Sequence, residues 1–193
     1  MDRKLFPIDL PEREWTEFDA DGFSNRVAGL IHRVSNPPSC GVPLGAIDTG
    51  CLDLDVAGVL GYCTIFNSLT PRRGSLNIPF LGVSVGHRTW VLTTRNMRSY
   101  DGTIWSDSYS KRTYRGVRTA SDIDYWGHYP LADLEYETDA PVSVGMRAWS
   151  PFIPGDVAAS NTPGAVFEVR LRNTTDKDQA GTLALNFPGP TEG

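Results

Sequence analysis

The chain has 193 residues, of which 40% are hydrophobic, enough to bury a sizeable core in one domain or at most two small ones. With 23 acidic and 18 basic residues, its formal net charge is -5, so composition gives no electrostatic reason to expect nucleic acid as a partner. Cys40, Cys51 and Cys63 form no C-x-x-C pair, which argues against a disulfide framework or a structural zinc site. We therefore expect reduced thiols, a cytoplasmic location, and neither a metal nor another cofactor.

The N-terminal sequence MDRKLFPIDLPEREW contains two prolines and several charges but no apolar run of signal-peptide length. Residues 1–22 are predicted to be an N-terminal extension. FSNRVAGLIHRV, which follows, is the one helix candidate, although Gly29 in its middle disfavours a helix by about 1 kcal/mol relative to alanine. No stretch of the sequence approaches the roughly 18 apolar residues of a membrane span.

Glycine and proline divide the rest of the chain into short runs rich in Val, Ile, Thr, Tyr and Phe, which is typical of an all-β domain. CLDLD and VLGYCTIF, separated by VAG, predict one hairpin, and PFLGVSVGHRTWVLTT predicts a second. LADLEYETDAPVSVGMRAWS predicts a third, and GAVFEVRLRN with GTLALNF predicts a fourth pair. About eight strands in consecutive hairpins predict two antiparallel sheets that pack face to face as a β-sandwich.

Residues 95–130 are predicted to form a long irregular segment, which is uncommon unless it serves binding or lies on a partner surface. Within it, KRTYRGVR holds four basic residues and no acidic one: Lys111, Arg112, Arg115 and Arg118. This stretch can hold a phosphate or an acidic partner. A solvated loop is the favoured interpretation.

Residues 48–50 read Asp-Thr-Gly, the tripeptide on which aspartic proteases build their catalytic loop. Such a protease needs two carboxylates about 3 Å apart that share a proton, and the chain contains one such tripeptide. Cys-Leu follows it and opens an alternating strand. The favoured interpretation is a turn, in which Gly45 and Gly50 bend the backbone and Asp48 caps nearby amides.

The densest chemical stretch is DIDYWGHYPLADLEYETD, where Tyr125, Trp126, His128 and Tyr129 lie among carboxylates. Aromatic faces stack on the C–H groups of sugars while carboxylates accept hydrogen bonds from hydroxyls. One functional hypothesis is therefore a free-standing carbohydrate-binding sandwich that uses Tyr125, Trp126 and Tyr129. The alternative for this stretch is that Trp126 and Tyr129 simply pack beneath the long segment.

Several long motifs occur in order along the chain: GVPLGAIDTGCLDLD, LGYCTIFN, RGSLNIPFLGVSVG, YWGHYPLADLEYETDAPVSVGMRAWSPFIPGD and NTPGAVFEVRLRNTT. Together they resemble the N-terminal domain of glycoside hydrolase family 116, which includes the non-lysosomal glucosylceramidases, also called bile acid β-glucosidases. The resemblance covers residues 23–193. Two positions depart from the pattern, because Ala46 stands where members often have glycine and Asp48 where some have glycine.

The resemblance implies an N-terminal β-sandwich over residues 23–193, here incomplete at its C-terminal end. It also implies that a helical (α/α)6 domain carries the nucleophile Glu and the acid/base Asp, and that this missing C-terminal domain is the partner. The intact enzyme would be a retaining β-glucosidase or glucosylceramidase acting on β-glucosides or glycolipids. No acidic residue here matches the family's catalytic positions, so we predict no catalytic residue and expect the chain alone to be inactive.

Two segments are candidates for the face that meets the catalytic domain. GAIDTG contributes Asp48, and SPFIPGDVAASNTPG contributes Asp156 and Asn161, which can hydrogen-bond that domain or the rim of its sugar site. Trp126 and His128 complete the predicted set of interdomain or substrate-rim residues. For the SPFIPGDVAASNTPG segment, structural packing is favoured over direct substrate contact.

Overall fold

The computed structural model describes residues 16–18, 27–29, 32–33, 35, 41–46, 49–63, 78–94, 117–127 and 129–187. These parts of the chain are mostly β-strand, with one short helix. The elements are β1 (Thr16–Phe18), β2 (Val27–Gly29), β3 (Val42–Leu44), β4 (Leu52–Leu54), β5 (Val59–Cys63), β6 (Ile78–Pro79), β7 (Leu81–Val85), β8 (Arg88–Val91), β9 (Val117–Thr119), β10 (Asp122–Trp126), β11 (Leu131–Glu137), β12 (Val142–Trp149), α1 (Val157–Ser160), β13 (Val166–Asn173) and β14 (Gly181–Leu185).

Among the described residues, the strands form three sheets of four strands and one sheet of two. Their orders are β3-β4-β5-β6, β14-β7-β8-β9, β10-β11-β12-β13 and β1-β2. All these pairs are antiparallel except β8 and β9, which run parallel. The helix α1 is too short to cross a bilayer, and no longer apolar helix occurs in the described parts of the chain.

One core of buried apolar side chains unites the three larger sheets. The Tyr125 hydroxyl on β10 accepts a hydrogen bond from the N–H of Val42 at 2.7 Å and donates one to the carbonyl of Leu54 at 3.0 Å. The ring of Phe80, beside β7, lies 4.6 Å from the ring of Phe167 on β13, measured between centroids. These contacts join the β10–β13 sheet to the other two, and the predicted antiparallel β-sandwich is confirmed.

Three of the predicted hairpins form. In β4-β5, β7-β8 and β11-β12, consecutive strands pair antiparallel with short connections. The β7-β8 turn contains Gly86 with φ of +61°, and the β4-β5 turn contains Gly58 with φ of +72°. Glycine adopts this region without the penalty that a Cβ brings, so the turns form where the sequence places glycine.

The fourth predicted pair is wrong, because β13 and β14 lie in different sheets. β13 pairs with β12, and β14 pairs with β7. A tight hairpin uses about two to five residues, whereas the polar connection 174–180 is long enough to carry the chain from one sheet to the other. Pairing with β7 places Leu183 opposite Val83 and Leu185 opposite Leu81, on the face that carries the core.

Two further predictions need correction. The helix proposed for FSNRVAGLIHRV is not present in its described part, where β2 pairs with β1 and His32 bridges to Tyr125 on β10. Pairing with neighbouring strands outweighs the weak helical tendency of a segment centred on glycine. The segment 95–130 is not irregular throughout, since β9 and β10 lie in its last part, and 95–116 falls outside the described residues. The proposed boundary between residues 22 and 23 stays a prediction.

Candidate functional site

The GAIDTG segment connects β3 to β4 and closes as a tight turn. The N–H and the hydroxyl of Thr49 both donate to the carbonyl of Ala46, at 3.3 and 3.2 Å. Gly45 and Gly50 have φ of +149° and +97°, and a Cβ on Gly45 would lie 2.2 Å from the Gly50 oxygen. The glycine requirement of this turn is therefore met. Asp48 lies outside the described residues, so its predicted capping and interdomain roles stay predictions.

The aromatic residues proposed for sugar stacking do not share one exposed surface. Tyr125 and Trp126 are 3% and 2% exposed, and the Tyr125 hydroxyl is bonded within the core. Tyr129 is 41% exposed, and its ring meets that of Phe152 edge-on with centroids 5.4 Å apart. A stacking platform requires an open ring face, so this arrangement does not favour sugar binding through the first two. His128 lies outside the described residues.

Asp156 begins the short helix α1 and is used as its N-cap. Its carboxylate accepts a hydrogen bond from the N–H of Ala159 at 2.9 Å, which satisfies one free donor of the first turn. Asn161 ends α1, and its buried side-chain oxygen has no hydrogen-bond partner among the described residues. A buried acceptor of this kind is costly unless a partner supplies a donor. The buried oxygen of Asn161 does not face another domain, and the Asp156 carboxylate already caps α1, so the interdomain roles of both residues stay predictions.

An exposed apolar surface lies beside these two residues, and we call it the apolar loop patch. It consists of Tyr129, Phe152, Ile153 and Val157, which are 41%, 40%, 53% and 71% exposed. The backbone beneath it is fixed, because the Ser160 hydroxyl accepts from the N–H of Ile153 at 2.9 Å and donates to its carbonyl at 3.1 Å. Four exposed apolar side chains on a fixed loop favour contact with a further surface.

A charged row, which sequence reasoning missed, crosses the face of the β10–β13 sheet that lies opposite the core. It consists of one aromatic and three charged residues, one from each strand in register: Trp126, Asp133, Arg147 and Glu168. Asp133 is fully buried, and its two carboxylate oxygens accept from Arg147 Nε and Nη2 at 2.7 and 2.8 Å. This is the bidentate geometry of a guanidinium and a carboxylate.

The carboxylate of Asp133 forms an ion pair with the guanidinium of Arg147. Burial raises the pKa of the Asp133 carboxyl above its ordinary value, and the Arg147 guanidinium opposes that rise through its hydrogen bonds and charge. A glycosidase acid, base or nucleophile must face its substrate, whereas Asp133 is fully buried and both its oxygens accept from Arg147. We assign this row a structural role. In the described parts of the chain, no group of three His, Cys, Asp or Glu is placed to hold a metal ion.

The fold and its exposed groups define an all-β sandwich domain that presents a fixed apolar surface. The chain matches, over residues 41–192, the family described as beta-glucosidase 2, glycosyl-hydrolase family 116 N-term. It belongs to that family, and the resemblance seen in its motifs is confirmed. No curated protein matches the chain at the similarity required.

Proposed function

We propose that this chain is a non-catalytic, N-terminal part of a retaining β-glucosidase or glucosylceramidase, and that it supports a helical (α/α)6 domain carrying the catalytic carboxylates. The substrates proposed for the intact enzyme are β-glucosides, including glycolipids, and the proposed location is the cytoplasm. Membership of glycoside hydrolase family 116 supports the general activity. The apolar loop patch is the structural observation that favours a role in contacting the catalytic domain.

The patch has the composition of an interface centre. Aromatic residues are enriched in interface cores, and Tyr129 and Phe152 contact each other at the centre of the patch. Ile153 and Val157 extend the apolar area. The charged side chain nearest in sequence, Asp156, is turned toward its own helix.

The test measures binding between this chain and a separately produced (α/α)6 domain of the same enzyme by isothermal titration calorimetry. Replacing Phe152 and Ile153 by serine removes the centre of the patch and is expected to weaken binding at least tenfold, since central apolar anchors contribute roughly 2 kcal/mol or more each. Leu185→Ser, on the β14 edge strand, removes a comparably exposed apolar group from a different sheet and serves as the control. Equal effects of both changes would contradict the assignment of this face.

A further inference from the structure

An open cleft of about 370 Å³ lies at one end of the sandwich, between the β7-β8 turn and the β11-β12 turn. Its lining residues come from both sheets: Val85, His87, Arg88, Trp90, Asp139 and Pro141. Arg88 and Trp90 are two apart on β8, so both side chains lie on the face that turns toward the opposite sheet. Arg88 is exposed, whereas Trp90 is fully buried at the base of the cleft. The cleft therefore has an apolar floor and a polar rim.

The charges on this rim do not balance. The Oδ1 atom of Asp139 accepts a hydrogen bond from the Trp90 indole N–H at 2.7 Å, and its Oδ2 atom is ion-paired with Arg118 from β9. Both oxygens of this carboxylate are thus occupied, and its charge is offset by Arg118. Neither Arg88 nor His87 has a side-chain hydrogen bond or an ion pair with any residue that the structure describes. Within the described part of the chain, the rim therefore keeps a guanidinium without an acidic partner, and an imidazole beside it.

We propose that this cleft binds a small oxyanion of the phosphate monoester class, with the Arg88 guanidinium as its main partner. A guanidinium presents parallel N–H donors that match two phosphate oxygens, and such charge-assisted pairs are about twice as strong as neutral hydrogen bonds. The apolar walls formed by Val85 and Pro141 lower the local dielectric and leave room for the organic part of the ester. His87 adds a second donor at the same rim.

The site is separate from the apolar loop patch. The β11-β12 turn precedes β12, whereas the loop that carries the patch follows β12. A strand of eight residues spans on the order of 25 Å, so the two surfaces lie at opposite ends of the sandwich. Binding at the cleft therefore does not depend on the domain contact proposed for the patch, and either can fail without the other.

The first experiment titrates the 193-residue chain with inorganic phosphate and with glucose 6-phosphate, and follows binding by backbone amide chemical shifts. Saturable shifts are expected at residues 85–90 and at residues 139 and 140, because Pro141 has no amide N–H. Arg88→Gln should weaken binding roughly tenfold or more, the loss expected for one hydrogen-bonded charge. The control Arg170→Gln removes one positive charge from the outward face of β13, where Arg170 is paired with Glu168, and should leave the affinity unchanged. Absence of saturation, or equal weakening by both variants, would overturn the proposal.

A second arm distinguishes a soluble ester from a lipid headgroup of the same chemistry. The chain is sedimented with phosphatidylcholine vesicles that contain phosphatidic acid, whose headgroup is a phosphate monoester. Co-sedimentation that Arg88→Gln abolishes and Arg170→Gln preserves would assign the site to a lipid, whereas binding of the soluble phosphates alone would assign it to a free ester. If Arg88→Gln lowers the melting temperature, Arg88→Lys replaces it. That variant keeps the charge and loses the two-pronged geometry, so an affinity equal to wild type would contradict the role of Arg88.

Discussion

At the scale of single residues, two buried tyrosines on neighbouring strands of one sheet differ in how their hydroxyls are satisfied. The Tyr125 hydroxyl makes two hydrogen bonds across the core, to Val42 and Leu54. The Tyr136 hydroxyl is buried and has no hydrogen-bond partner in the part of the chain that the structure describes. Burial, with Tyr125 nearby, raises the pKa of Tyr136 above its ordinary value, so this side chain stays neutral. The same residue type therefore stabilises the fold at one position and costs stability at the other.

Removing the two hydroxyls should change the free energy of unfolding in opposite directions. Tyr125→Phe is expected to lower it by about 1–3 kcal/mol, because two backbone groups lose their partner. Tyr136→Phe is expected to raise it by about 1 kcal/mol, because the cost of burying an unsatisfied hydroxyl disappears. Urea denaturation followed by tryptophan fluorescence measures both. A loss of stability in Tyr136→Phe as large as that in Tyr125→Phe would show that the second hydroxyl has a partner.

The Asp133–Arg147 pair gives a second residue-scale prediction. Asp133→Ala leaves Arg147 without its buried partner and should lower the free energy of unfolding by about 3–5 kcal/mol. Replacing both residues, as Asp133→Leu with Arg147→Met, should recover most of that loss, because no unpaired charge remains. The control Glu168→Gln acts on the exposed pair with Arg170 and should change stability by less than about 1 kcal/mol.

The same carboxyl has a pH dependence of defined sign. Since burial raises its folded-state pKa above the unfolded value of 3.8, the folded protein holds this proton more tightly than the unfolded chain does. Wild type should therefore lose stability relative to Asp133→Asn as the pH rises from below 3.8 through the folded-state pKa. Urea denaturation of both proteins across this range measures the difference. A difference that widens in favour of wild type would mean that Arg147 lowers the pKa more than burial raises it.

At the scale of elements, two turn glycines separate backbone conformation from packing. Both have positive φ, at +72° for Gly58 and +61° for Gly86. A Cβ on Gly86 would meet nothing within 4 Å, whereas a Cβ on Gly58 would lie 2.4 Å from the backbone oxygen of Leu92 and 3.0 Å from Ile123 Cδ1. The β7-β8 turn therefore needs glycine for its conformation alone. The β4-β5 turn needs glycine for its conformation and also because a Cβ on Gly58 would clash with Leu92.

This difference predicts unequal costs for the same substitution. Gly86→Ala should lower the free energy of unfolding by about 1–2 kcal/mol, the penalty for a side chain in the left-handed region. Gly58→Ala should cost more than this, because β4-β5 must also move away from the Leu92 backbone. Thermal unfolding followed by circular dichroism compares the two variants. Equal melting temperatures would show that the Leu92 backbone moves without cost.

The hairpins β4-β5, β7-β8 and β11-β12 were predictable from sequence, and so was part of the charged row. In β11-β12 the paired positions are symmetric about Ala140, so a turn centred there places Arg147 opposite Asp133. A lone Asp between Ala132 and Leu134 was the signal that could have revealed the pair. The partners of β13 and β14 were not predictable in this way, because long-range contact with β12 and β7 decides them rather than local turn chemistry.

At the scale of the whole molecule, the sandwich and its family followed from motifs spread along the chain, whereas the exposed surfaces did not. Sequence favoured Trp126 as a rim residue, yet it is buried within the sheet face. The apolar loop patch joins Tyr129 to Phe152 from separate segments, which only the fold brings together. The predicted roles of Asp48 and His128 lie outside the described residues and stay predictions.

The central claim is that this chain supports a glycosidase without providing its catalytic carboxylates. The most direct measurement is β-glucosidase activity on a chromogenic β-glucoside, comparing the purified 193-residue chain with a longer product of the same gene that includes an (α/α)6 domain. We predict turnover by the longer protein and none by the chain alone. Turnover by the 193-residue chain that persists through purification would contradict the claim, because it would require a catalytic carboxylate pair within these residues.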